Sequence, residues 1–504
     1  MLCEPRPVEE TFSIPLPTPL STLMAEPPPW CQDIQLDLMY RLRFIEQLQT
    51  VSPPQACDNE SDDCILDILN WIALCFMPDE TRSGVSVAFA SQANRITLHV
   101  SKDRRVGDEN VKDFLTTVRA ILAGDITDPG VTAPVLFRMV VDRCPGSIMR
   151  KITSVADTDE GAGQTIYRFN SIFATWLAYR PEGETSLGFI SMATKYGGDA
   201  KKANEYLLES FSTLATQTPD QMDGMGAKER FTYISSVMTA SSLLLASTFF
   251  ADITHSHSFR LALKLQDRQF MHQIWRRLSD VSAYKHGALQ FAYVALPYIR
   301  SIVGDLSAGQ DVHVELVPGL DEGTYRWGRT PAEQIQHMLP KEDGATPSCS
   351  RPPEDSELDS DSEGSRTAPS TATFGMGNTA CDELLNSELA LEAWVAGADA
   401  KVSVHPELQL VHHMLEHGVN AAYKAIGTSK PMCWTCSVYL EHLSLAMGEE
   451  RDDEQWWHAK GTERVTHRWM MPKDAPDVVV HGVLEDVQSK MEKLVDDVAF
   501  DCYF

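Results

Sequence analysis

The sequence predicts an α/β protein: a mixed sheet flanked by helices at the C-terminal end, preceded by a large, mostly α-helical module. Three observations lead there. Apolar residues recur at helical spacing through most of 108–302. Beyond 380, short extended runs alternate with helical ones. Between these regions, residues 340–375 turn abruptly to Pro, Ser, Thr and acids. The 504 residues are enough for two to four domains, and 43% apolar with 23% charged residues is an ordinary globular balance. That balance excludes collagen, a wholly disordered chain and a membrane bundle. Acids outnumber Lys and Arg by 71 to 43, a formal charge of −28. No strong non-specific nucleic-acid binding is expected, because such binding needs cations to displace the counterions of the phosphate backbone.

Taken in order, residues 1–30 carry eight prolines and read as a flexible tail. Leu36, Met39, Leu42, Ile45 and Leu48 then mark one helix face, and Asp62–Met77 is a second helix. Val85–Ala90 and Arg95–Ser101 read as a hairpin, since Ile96, Leu98 and Val100 alternate. Helices follow over Val111–Ala123 (with Asp108 as its cap), Pro134–Val141, Phe169–Ala178, Lys201–Ala215, Arg230–Phe250 and Gln269–Leu278. Val312–Val317 and Gly323–Trp327 read as a second extended pair. Glu354–Glu363 holds six acids and no base, so this stretch reads as a disordered linker. Ser356, Ser360 and Ser362 within it suit an acid-directed kinase, or the segment is merely solvating. After it come a helix over Asp382–Val395, an extended Val402–Val404, a helix over Glu407–His417, a strand over Tyr423–Gly427 and a helix over Cys433–Met447. An acidic loop (Glu449–Glu454), a strand over Arg464–Met471 and a helix over Val483–Val498 complete the chain. The predicted divisions are a tail over 1–30, a helical module with short hairpins over 31–335, a linker over 336–380 and an α/β domain over 381–504.

The 11 cysteines are scattered, and only Cys433 and Cys436 lie close together, which argues for a reducing compartment. The N-terminus lacks a basic start followed by an apolar run, so no secretory signal is expected. No stretch reaches the ~18 apolar residues of a spanning helix. The expected setting is intracellular, cytoplasmic or nuclear, without membrane contact.

Two pieces carry chemistry: Val404-His405-Pro406-Glu407-Leu408-Gln409-Leu410, and Ile426-Gly427-Thr428-Ser429-Lys430-Pro431-Met432-Cys433-Trp434-Thr435-Cys436. One neutral imidazole and two thiolates satisfy a single Zn²⁺ and leave a fourth position for water. Cys-x-x-Cys on a first helical turn puts both sulfurs at the end where N–H groups and dipole favour thiolate. His405 at the start of a second helix can meet them across an intervening strand. Glu407 would then stand beside the ion as a proton carrier without being a ligand.

These residues resemble the zinc-dependent nucleobase and nucleotide deaminase superfamily, with its His-x-Glu and Pro-Cys-x-x-Cys pieces. Within it they look most like a toxin-like branch found in bacteria and in long fungal proteins, which has a similar Ile-Gly-x-Ser-Lys before the cysteines. The resemblance covers roughly 400–475. It implies a cytidine-deaminase-like mixed sheet over the 381–504 domain, His405, Cys433 and Cys436 as ligands of one Zn²⁺, and Glu407 as proton shuttle. The activity implied is hydrolytic deamination of a nucleobase, nucleoside, nucleotide or single-stranded nucleic acid, by attack of a zinc-activated water on an amino-substituted ring carbon. Three departures stand out: Met432 precedes Cys433 where the superfamily has Pro, His458-Ala459-Lys460 replaces His-Gly-Lys, and 380–401 offers no hairpin before the His-x-Glu helix. Either the hairpin comes from 312–327 or from 85–101, which would make the helical module an insertion, or the core is degenerate.

Ser429, Lys430, Trp434, His458, Lys460 and Trp469 are candidate substrate contacts, the aromatics by stacking and the cations by meeting phosphate. Trp434 and Trp469 read equally well as core aromatics. A catalytically inactive, zinc-stabilised interaction protein is the alternative. It needs a fourth protein donor, for which His412, His413, His417 and Cys502 are candidates. A redox Cys-x-x-Cys protein is a third reading, one that leaves His405 and Glu407 without a role. No feature identifies a partner of the helical module.

Overall fold

The computed structural model describes residues 32–51, 64–77, 84–92, 95–102, 109–123, 128–155, 161–179, 200–256, 259, 262–303, 312–319, 322–326, 399–419, 421, 424–448 and 457–501. The Pro-rich tail, the acidic linker with its serines, the helix expected over Asp382–Val395, the cap Asp108, Tyr423, the Glu449–Glu454 loop and Cys502 all lie outside the described residues.

In chain order the elements are helices α1 (Gln32–Val51) and α2 (Cys64–Cys75), and strands β1 (Val85–Gln92) and β2 (Arg95–Lys102). The helical run follows: α3 (Glu109–Ala123), α4 (Pro129–Arg143), α5 (Pro145–Ser154), α6 (Gly161–Tyr179), α7 (Ala200–Ala215), α8 (Ala227–Leu245), α9 (Thr248–His255), α10 (Leu265–Gln290) and α11 (Leu296–Val303). Then come β3 (Val312–Val317), β4 (Glu322–Arg326), β5 (Asp399–Ser403), α12 (Pro406–Glu416), β6 (Gly427–Thr428), α13 (Trp434–Ala446) and α14 (Asp477–Asp501).

The principal sheet has strand order β3-β2-β1-β6. β1 and β2 form the expected antiparallel hairpin, with Val87 opposite Val100 and Phe89 opposite Leu98. β6 pairs antiparallel with β1 through Val87 and Gly427. β3 pairs parallel with β2, Leu98 opposite Val314. Isolated bridges from Ala425 to His458 and from Met432 to Gly461 continue this sheet beyond β6. Parallel neighbours cannot be joined by a tight turn and need a crossover. Here the whole helical run, α3 to α11, lies between β2 and β3 in the chain. The missing hairpin of the His-x-Glu region is therefore 85–102, with 312–317 on its outer edge.

The extended pair expected over 312–327 is corrected. β3 belongs to the principal sheet, and β4 pairs with β5 in a separate two-stranded ladder. β3 finds its partner in β2 because both present period-two apolar residues to the same core: Ile96, Leu98 and Val100 with Val312 and the partly buried Val314.

Alternation gives the sheet two faces. Val85 and Val87, with Ile96, Leu98 and Val100, join α2, α3 and the other helices of the run in one core. Ala88, Ala90 and Val317 join α12, α13, α14 and α1 in the other. Caps follow the expected chemistry: Asp128 accepts from Gly130 N at 2.8 Å ahead of Pro129. The expected helix Arg230–Phe250 breaks after Leu245, because Ser247 caps α9 by accepting from Phe250 N. Gly287 of α10 leaves room for Trp71, since a Cβ there would lie 2.2 Å from the indole; Trp71 Nε1 in turn donates to Tyr284 O at 2.9 Å.

The strand expected over Arg464–Met471 is also corrected. The segment is irregular, with one bridge from Trp469 to Ser403. Its backbone bonds are divided between the main chain of Ser403 and Trp434 and side chains of α1. Gln49 donates to Glu463 O (2.8 Å) and accepts from Val465 N (3.0 Å). Gln35 does the same for Trp469 O and Met471 N, both at 3.2 Å. Two amides thus supply bonds that a continuous neighbouring strand would have made. Among the described residues, no single helix is long and apolar enough to cross a membrane; α8 and α9 pass that test only as a pair bent by 55°.

Candidate metal centre

Two helix starts make the site. His405 is the N-cap of α12 in extended geometry (φ −69°, ψ 150°), and Pro406, with no N–H to satisfy, occupies the first helical position. Glu407 follows in the first turn, where a carboxylate complements the helix dipole. Cys433 is the N-cap of α13, placing Cys436 one turn on. α12 lies on β1 and β2, so that His405 meets the sulfurs at the end of β6.

His405 Nδ1 lies 3.5 Å from Cys433 Sγ and 3.4 Å from Cys436 Sγ. The three donor atoms lie within 4.8 Å of one another, and both cysteines are free thiols. A tetrahedral zinc at about 2.3 Å from sulfur and about 2.05 Å from nitrogen would hold each N···S pair about 3.6 Å apart. The donor set and its spacing therefore fit a metal ion of this kind. Glu407 is 7% exposed, and its Oε2 is buried without a hydrogen-bond partner. Within the described residues the donor group has three members, and Glu407 is not one of them.

The metal-free site is strongly polarised. Burial opposes ionisation of Cys433, but the Cys436 thiol and the His405 charge hold it well below the usual thiol range. Burial, reinforced by the Cys433 charge, holds Cys436 well above that range. Burial alone would lower the His405 pKa; the neighbouring Cys433 thiolate outweighs it and pushes the imidazole up to about 9. Burial raises Glu407 above the usual carboxylate range, against the pull of His405. An ion entering this site displaces the proton that the Cys433 charge holds on His405 and the one that burial and Cys433 together hold on Cys436.

Residues 404–473, which contain all four of these side chains, match the family model described as OTT_1508_deam-like deaminase. Over this segment the chain is similar to a deaminase-superfamily domain. No curated protein and no solved structure matches it.

The deaminase segment disposes the other expected contacts in three ways. Lys430 is exposed, and its charge is felt at both His405 and Glu407. Lys460 is exposed and His458 half-buried, on the stretch bridged to 425–432. Ser429 is buried and stitched to β1: its Oγ accepts from Val85 N and its N donates to Val85 O, each at 2.9 Å. Trp434 is half-buried with Lys490 Nζ 4.3 Å above its ring. Trp469, expected to stack on a base, is fully buried and donates Nε1–H to Cys436 Sγ at 3.2 Å. It supports a ligand.

Behind it lies a hydrogen-bonded chain, running inward from the half-exposed Asp474, that sequence reasoning missed. Asp474 Oδ2 is 3.3 Å from His412 Nδ1, and His412 Nε2 is 2.6 Å from the Tyr439 hydroxyl. Tyr439 packs against Trp469, ring centroids 6.2 Å apart. His412 and His413 are thus engaged elsewhere and supply no fourth donor to the centre; His417 Nδ1 donates to His413 O at 2.8 Å. Replacing Trp469 with Phe keeps an aromatic ring, removes the hydrogen bond to sulfur and leaves a small cavity at a fully buried position. Outer-shell losses of this kind cost about 10–100-fold in metal affinity. Competition with a chromophoric chelator should show a drop in that range for Trp469→Phe, with a melting midpoint lowered by the cavity but a single cooperative transition retained.

Proposed function

We propose that the protein is a zinc-dependent hydrolytic deaminase acting on a nucleobase, nucleoside, nucleotide or single-stranded nucleic acid. One observation carries this reading: a three-donor N/S/S group lies two residues from a buried carboxylate with an unpartnered oxygen. A closed structural ion needs a fourth protein donor, and none of the described residues joins the group. The match over 404–473 points the same way.

When bound, zinc supplies the charge that makes a water acidic enough to attack near neutral pH. Glu407 does the proton work. Its carboxylate takes the proton of the attacking water and passes it to the ring nitrogen beside the reacting carbon. A second proton moves by the same oxygen to the exocyclic amine, so the C–N bond breaks, ammonia leaves and a ring carbonyl remains. A carboxyl can both accept and return a proton, which is what the two transfers require. Pro406 and the N-terminal turn of α12 hold Glu407 in place. Lys430, exposed at the rim, suits an anionic group on the substrate.

The test is an ammonia-release screen of the full chain over free bases, nucleosides, nucleotides and short oligonucleotides. Release from at least one class is expected, lost on chelation and restored by zinc. Zinc-loaded protein that releases no ammonia from any class would overturn the reading in favour of a zinc-stabilised scaffold.

A further inference from the structure

A second cluster of metal-ligating side chains lies on the same helix. α12 runs across β2 so that one helical turn matches one side-chain repeat of the strand. Ser101 Oγ donates to Gln409 Oε1 at 2.9 Å. One turn further along the helix stands His413, and two residues back along the strand stands His99. Glu315 on β3 is the register partner of His99. Its carboxylate lies between the two rings: Oε1 is 3.0 Å from His413 Nε2 and Oε2 is 3.5 Å from His99 Nδ1.

The donor atoms of His99, His413 and Glu315 lie within 4.8 Å of one another. In a tetrahedral ion with nitrogen and oxygen ligands at about 2.0–2.2 Å, neighbouring donors sit about 3.3–3.5 Å apart. His99 is 2% exposed, and its buried Nδ1 has no hydrogen-bond partner. Burial lowers its pKa more than Glu315 raises it, and His413 and His417 lower it further, so a neutral lone pair is available. Glu315 has a side chain 49% exposed, which leaves a path for an ion and room for water.

From this geometry we propose that His99, His413 and Glu315 form a second site for a borderline dication such as Zn²⁺, tying β2, β3 and α12 together. It differs from the His405 centre in chemistry, since it has no sulfur. It also joins segments that the sequence keeps far apart, and it fixes the far end of the helix whose start carries Glu407. The proposal does not depend on deaminase activity.

The experiment is metal titration of the full-length protein after metal removal, with zinc counted by elemental analysis and cobalt followed by absorbance. The wild-type chain should take two equivalents. Only one of them should give the intense thiolate-to-cobalt charge-transfer band. Glu315→Gln, a change on a half-exposed side chain, and His413→Asn should each weaken one equivalent at least tenfold and leave that band intact. The intact band shows that the variant is folded at the sulfur centre. A wild-type chain that takes one equivalent, or a second equivalent that survives Glu315→Gln unchanged, overturns the proposal.

Discussion

Glu407→Gln is expected to keep zinc and lose ammonia release, by about 10²–10⁴-fold for the loss of a positioned acid-base group. The side chain stands outside the three-donor group, so replacing it removes no ligand. The amide has nearly the same shape but cannot take a proton from water. In the metal-free chain the substitution should also be stabilising. Burial raises the folded-state pKa of Glu407, so above the carboxyl's unfolded pKa its charge costs stability, and the neutral amide avoids that cost. The pairing of an equal or higher melting temperature with near-complete loss of turnover distinguishes a catalytic carboxylate from a structural one. Turnover within a factor of two of the wild type would remove Glu407 from the mechanism.

Gly427→Ala is expected to have the largest effect on stability. A Cβ at this position would lie 2.1 Å from the carbonyl carbon of Leu69 and 2.3 Å from its oxygen. These are backbone atoms of α2, which cannot rotate aside. The two-residue β6 must then lift from α2 or slip against β1, where Gly427 faces Val87 and Ser429 is stitched to Val85. Overpacking of this kind costs about 1–3 kcal/mol, occasionally more. Denaturant melts should place the midpoint correspondingly lower, and zinc affinity should fall with it, because β6 leads into the loop that presents Cys433. An unchanged midpoint would mean that β6 does not pack on α2 as closely as described.

What the sequence disclosed and what it withheld divide along one physical line. His405, Glu407, Cys433 and Cys436 were legible because each pair sits within one helical turn, and local spacing fixes their directions. The hairpin of β1 and β2 was legible from the alternation of Ile96, Leu98 and Val100. Pairings between distant segments were not. Val312–Val317 reads equally well beside β4 or β2, and only the shared core with Ile96 and Leu98 decides. Arg464–Met471 has an extended pattern, yet the amides of Gln35 and Gln49 take several of the backbone bonds a strand would have made. Trp469 carried an aromatic signal that fits a stacking platform or a core, and its indole N–H found sulfur. His99, Glu315 and His413 have no spacing that any local motif would mark.

The crossover that holds the helical run has a consequence for how the chain is made. β2 is complete by residue 102, but its neighbour β3 emerges only after 312 and the last strand after 427. At about 5–20 residues per second on the ribosome, the hairpin waits roughly 15–65 s before β6 exists. The edge of β2 stays open until β3 emerges and that of β1 until β6 does, each presenting unsatisfied amides, the usual template for aberrant pairing. Nascent chains of this protein should therefore depend on chaperones until the tail end of translation, and partial products ending before 427 should aggregate.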